Sequence, residues 1–88
     1  MDNQTKKIIV YGAKWCRDCA RSRKYLDDQG IIYEYINIDE YEQGAEEIER
    51  LNHGLKVVPT IVFPNGRVLA EPSNEALKLA LIENNMLS

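Results

Sequence analysis

Ile8-Ile9-Val10-Tyr11-Gly12-Ala13-Lys14-Trp15-Cys16-Arg17-Asp18-Cys19 is the stretch on which the reading of this 88-residue chain turns. It holds both cysteines, two residues apart, the spacing of a redox dithiol. An apolar run precedes them, and a charged, helix-permissive run from Ala20 to Gln29 follows. A strand therefore delivers the first cysteine to the start of a helix. Unpaired N–H groups and the positive end of the helix dipole stabilise an anion there, and the thiolate is the reactive form of cysteine. Between Lys14 and Lys24 five basic residues (Lys14, Arg17, Arg21, Arg23, Lys24) face a single acid, Asp18. A cation beside Cys16 favours the thiolate, whereas Asp18 acts the other way. The indicated chemistry is thiol–disulfide exchange, with Cys16 as nucleophile.

Outward from this stretch, Ile8 to Tyr11 lacks alternation, which suits a central strand covered on both faces. The helix is expected from about Cys16 to Gln29, with Gly30 as its left-handed stop. Ile31 to Ile38 forms a second strand. Ile32, Glu34, Ile36 and Ile38 share one face, Ile31, Tyr33 and Tyr35 take the other, and Glu34 breaks the apolar pattern as at a sheet edge. After the acidic segment Asp39 to Gln43, Ala45, Ile48, Leu51 and Leu55 are spaced as one buried helical stripe. Pro59 cannot donate to a sheet ladder, so it opens the strand Thr60 to Phe63. Pro64-Asn65-Gly66 is a tight turn, and Arg67 to Ala70 returns antiparallel. Ser73 caps a last helix whose stripe is Leu77, Ala80 and Leu81 and which ends near Asn84. The first two strands, joined through a helix, are parallel, and the hairpin adds an antiparallel pair. The expected α/β architecture is βαβαββα: one four-stranded mixed sheet with three helices.

This order, with Trp15-Cys16-Arg17-Asp18-Cys19, Val57-Val58-Pro59-Thr60 and Glu71-Pro72-Ser73-Asn74-Glu75, resembles the glutaredoxins of the thioredoxin superfamily. Within them it is most similar to the mycoredoxin and glutaredoxin-like electron-donor branch. The resemblance runs from about Ile8 to Leu81. It implies a thioredoxin-like fold, a cis proline at Pro59 facing the dithiol, and substrate pairing with the backbone of Val58. It also sets Ser73 and Asn74 beside the same groove, with Lys14, Trp15 and Arg17 as further substrate contacts. Cys16 would attack a disulfide, and Cys19 would resolve the mixed disulfide, leaving a Cys16–Cys19 disulfide. The implied activity is reduction of protein disulfides, or of mixed disulfides between proteins and a low-molecular-weight thiol. That thiol, glutathione or mycothiol, is the implied co-substrate, with no cofactor bound. A second reading is an electron donor, of the kind serving ribonucleotide reductase, recharged by a thioredoxin-reductase-type flavoprotein.

A rival of another class is a metal or iron–sulfur carrier. Two cysteines and the distant His53 fall short of the four ligands of structural zinc, so a closed site requires two chains. The acids Asp39, Glu40, Glu42, Glu46, Glu47 and Glu49 read as a solvated face, and His53 as a solvated residue at a helix end. At 44% hydrophobic and 28% charged residues the composition is that of a globular domain, expected to be single over residues 1–88 with residues 1–7 as a flexible arm. A net charge of −3 gives no reason to expect nucleic acid or an anionic membrane as partner. No apolar run approaches the ~20 residues that cross a bilayer. The first residues lack the apolar core of a signal peptide, so cytoplasmic residence is the expectation. The expected state is a monomer acting on disulfide-containing proteins.

Overall fold

Strand β1 (Ile8–Gly12) runs through the middle of the sheet in a computed structural model that describes residues 7–87. The flexible arm expected at residues 1–7 therefore lies, apart from Lys7, outside the described residues. The remaining elements are α1 (Arg17–Asp28), β2 (Tyr33–Asn37), α2 (Glu42–Leu51), β3 (Thr60–Val62), β4 (Val68–Ala70) and α3 (Asn74–Glu83). The sheet order is β2-β1-β3-β4. β1 pairs in parallel with β2, from Ile8 opposite Tyr33 to Gly12 opposite Asn37, and antiparallel with β3. β3 and β4 close the antiparallel hairpin, with Gly66 at φ +93 in the turn where a side chain would be strained. The architecture is the expected four-stranded mixed sheet with three helices, and Glu34 does sit on an edge strand.

Two layers of side chains cover the central strand. Ile8 and Val10 join Leu26 of α1, Ile61 and Phe63, and Leu77, Ala80 and Leu81 of α3 in the main core. Burial of each such aliphatic side chain contributes roughly 1.5–3 kcal/mol, so this cluster is the main source of stability. On the other side Ile48 is fully buried, and Gly44 of α2 lies against the side chains of Ile36, Ile38 and Tyr11. α1 ends at Asp28 with Gln29 as its cap, and Gly30 at φ +72 lets the Ile31 amide reach back to the Leu26 carbonyl at 2.9 Å.

Two sequence expectations need correction. Leu55 does not extend the buried stripe of α2. The helix stops at Leu51, His53 and Gly54 turn the chain through positive φ, and Leu55 is left 64% exposed. Ile32 is 84% exposed because the ladder with β1 starts only at Tyr33, one residue later. The strands are also shorter than their apolar runs: β2 stops at Asn37, β3 at Val62, and β4 starts at Val68.

Gly12 ends β1 for a steric reason. A Cβ there would lie 3.0 Å from Cys19 Sγ and 3.1 Å from Tyr35 Cε1, tight enough that these neighbours would have to give by a few tenths of an ångström. Gly12→Ala should lower stability by about 1–3 kcal/mol, the usual cost of overpacking, read as a lower urea midpoint at unchanged slope. An unchanged midpoint would mean that Cys19 and Tyr35 yield without resistance.

Candidate active site

Cys16 is the N-cap of α1, at the end of the three-residue connection from β1. Its backbone is extended (φ −88, ψ 115), and its Sγ accepts the Cys19 amide at 3.1 Å. Such a bond strengthens when the acceptor carries charge, so the cap sets a donor where a thiolate formed during exchange would sit. The thiol also points at the Val58 carbonyl at 3.8 Å. Cys16 is 8% exposed, and Cys19 behind it is 1% exposed. Both are free thiols in this structure. Burial first, then the hydrogen bond with Cys16, pushes the Cys19 thiol up to about 12. Cys19 therefore holds its proton at neutral pH, and only Cys16 faces outward.

The segment opposite is held from behind. The Val58–Pro59 peptide is cis. Fully buried Thr60 donates its hydroxyl to the Val57 carbonyl at 2.7 Å and accepts the Asn52 side-chain amide at 3.1 Å, which ties this loop to the end of α2. Between the loop and α1 lies a groove of about 510 Å³ with Cys16 in its wall. Trp15, Arg17, Asp18, Lys56, Val57, Val58 and Glu71 form the rest of its lining. Trp15 is 69% exposed yet not free: its indole N–H donates to Asp39 Oδ2 at 3.0 Å, across to the loop after β2.

The glutaredoxin family model matches residues 8–69, from the first strand to the hairpin. The chain belongs to the glutaredoxin family. It is 30% identical over 79 residues to Rv3198A of Mycobacterium tuberculosis, a protein carrying a glutaredoxin name, with 90% of this chain and 94% of that one covered. It is 31% identical over 65 residues to mycoredoxin 1 of Corynebacterium glutamicum, covering 74% and 80%. In fold it is similar to the glutaredoxin-like NrdH-redoxin from Escherichia coli, with a TM-score of 0.73 at 18% identity over 83% of this chain and 92% of that one. As a glutaredoxin, the chain is a thiol–disulfide oxidoreductase.

The expected site residues separate in space. Cys16, Trp15, Arg17 and Val58 line one groove, and Cys19 and Pro59 are buried directly behind them. Lys14, Ser73 and Asn74 do not line it. Ser73 Oγ caps α3 by accepting the Ala76 amide, and Asn74 Oδ1 accepts from Arg21 at 2.6 Å. Of the five basic residues around the dithiol, only Arg17 faces the groove. Arg21 is committed to Asn74 and the Pro72 carbonyl, Lys24 to Asp28, and Arg23 lies 3.8 Å over the Tyr35 ring. Sequence reasoning missed Lys56 and Glu71. Lys56 is within three residues of Pro59 and was legible as its neighbour. Glu71, at φ +51 with its N–H on the Pro59 carbonyl, reaches the groove through the β3–β4 pairing, which no local signal announces. Among the described residues no group of three or more His, Cys, Asp or Glu side chains could hold a metal ion, and His53 is exposed beyond α2.

Two outcomes follow from this geometry. In Cys16→Ser, alkylation of Cys19 by iodoacetamide should stay slow at pH 7 and keep rising beyond pH 10, because a raised thiol pKa leaves the thiolate scarce until strongly alkaline pH. A plateau below pH 9 would contradict the burial argument. Asp39→Ala should free the indole of Trp15, the only tryptophan, lowering its fluorescence anisotropy and raising KM for a disulfide substrate several-fold, with Asp39→Asn retaining most of the native signal.

Proposed function

We propose that this glutaredoxin reduces mixed disulfides between proteins and a low-molecular-weight thiol, and protein disulfides, using Cys16 as nucleophile and Cys19 as resolving thiol. One observation carries the reading: Cys16 Sγ lies in the groove wall accepting the Cys19 amide, with the protonated Cys19 buried one turn behind it. The Cys16 thiolate attacks one sulfur of the substrate disulfide, forms a mixed disulfide, and expels the other sulfur as thiolate. Cys19 then loses its proton and attacks Cys16 Sγ. The second substrate sulfur leaves, and the two electrons of the dithiol have passed to the substrate. The Cys16–Cys19 disulfide so formed is returned to the dithiol by two equivalents of thiol or by a reductase.

The identity of that reductant separates two roles. Kinship with mycoredoxin 1 supports a small-thiol system, glutathione or mycothiol with its reductase. The deciding assay is NADPH consumption with a protein–thiol mixed disulfide, coupled either to each small thiol and its reductase or to thioredoxin reductase alone. We expect turnover with a small thiol, abolition in Cys16→Ser, and retained reduction of small mixed disulfides but not protein disulfides in Cys19→Ser. Turnover with thioredoxin reductase alone would instead make the protein a dedicated electron donor. Activity persisting in Cys16→Ser would overturn the mechanism.

A further inference from the structure

The face of β2 that turns toward α2 carries Ile36 and, one step earlier, a carboxylate at Glu34 where the pattern calls for an apolar side chain. Glu34 lines a cleft of about 450 Å³ between this strand and the start of α2, together with Tyr11, Ile36, Tyr41, Gly44 and Glu47. The cleft shares no lining residue with the Cys16 groove. Its carboxylates are not equivalent. Glu47 is engaged by Arg50, whereas Glu34 pairs with no cation among the described residues. The second observation is Tyr11. Its side chain is only 8% exposed, it lines the cleft, and its hydroxyl has no hydrogen-bond partner among the described residues. Burial, then Glu47 and Glu34, raise its pKa, against a smaller opposing effect of Arg50, so the hydroxyl stays protonated.

We propose that this cleft binds an organic monocation, an alkylguanidinium or alkylammonium head on a short carbon stem. Glu34 supplies the counter-charge, and the Tyr11 hydroxyl accepts one N–H of the head group. The exposed Tyr41 ring covers the cation and its stem, where its negative face attracts positive charge. Pairing of Glu47 with Arg50 leaves Glu34 as the carboxylate of this cleft without a cation among the described residues, which matches one positive charge on the ligand. A bare divalent ion is a poor match: it needs several converging oxygen ligands, and among the described residues no such group exists.

The test is a titration of the reduced full-length protein with n-butylguanidinium chloride, followed by amide chemical shifts and referenced to sodium chloride at equal ionic strength. The expected result is saturable shifts confined to Tyr11, Glu34, Ile36, Gly44 and Glu47. Affinity should fall about tenfold in Glu34→Gln and several-fold in Tyr11→Phe. The exposed Glu34 tolerates exchange without loss of fold, and Glu34→Gln should leave thiol–disulfide turnover unchanged. A parallel titration with an arginine-containing tripeptide distinguishes the source of the cation. Tighter binding of the free cation assigns a small-molecule site, and tighter binding of the peptide assigns a basic side chain of a partner. Equal shifts with sodium chloride, shifts spread over the outer acids Glu40, Glu42, Glu46 and Glu49, or native affinity in Glu34→Gln would each overturn the proposal.

Discussion

The 3.1 Å contact from the Cys19 amide to Cys16 Sγ is the interaction around which the site is built. It requires the first cysteine to be the cap of α1, with extended backbone, and the second to sit one turn inside the helix. Helix capping and, in the proposed mechanism, redox chemistry therefore use the same atom. A serine oxygen in that place would cap as well but would have no thiolate, so the cap alone explains the helix start and not the choice of residue. Burial of Cys19 completes the division of roles, because one sulfur is presented to the groove and the other is kept protonated behind it.

That contact depends in turn on how close the sheet comes. Cys19 rests against Gly12 at the end of the central strand, where a β-carbon would lie only 3.0 Å from the Cys19 sulfur. The loop that faces the dithiol is drawn into place by Thr60, whose buried hydroxyl is satisfied on both sides by Val57 and Asn52. Strand β3 lies beside β1 in the sheet, so the Val57–Pro59 segment and the start of α1 meet at the same end of it. The dithiol and the groove wall facing it are thus two consequences of one strand pairing.

Charge near the dithiol is mostly structural. Arg21 straps α1 to the turn before α3, Lys24 pairs along its own helix, and Arg23 covers Tyr35. Exposed pairs of this kind contribute little to stability, typically 0–1 kcal/mol, but they fix which cations remain for ligands. Arg17 and Lys56, set against Asp18 and Glu71, are what the groove offers an incoming thiol or protein. On the other face of the sheet the same accounting leaves Glu34 without a cation among the described residues.

Sequence alone determined the element order, the central position of Ile8 to Tyr11, the Gly30 stop, the Ser73 cap and the dithiol. These follow from local rules: apolar periodicity, capping chemistry, positive-φ residues and the spacing of two cysteines along one helical turn. Only the tertiary structure decided that Leu55 and Ile32 face solvent, because helix and ladder ends depend on turns and partners elsewhere. Only it showed that Arg21 and Asn74 spend their polar groups on each other, that Glu71 and Lys56 line the groove, and that Asp39 holds Trp15. Such residues are brought together by strand pairing and loop return across 24 to 53 positions of chain, a separation over which no periodicity carries information.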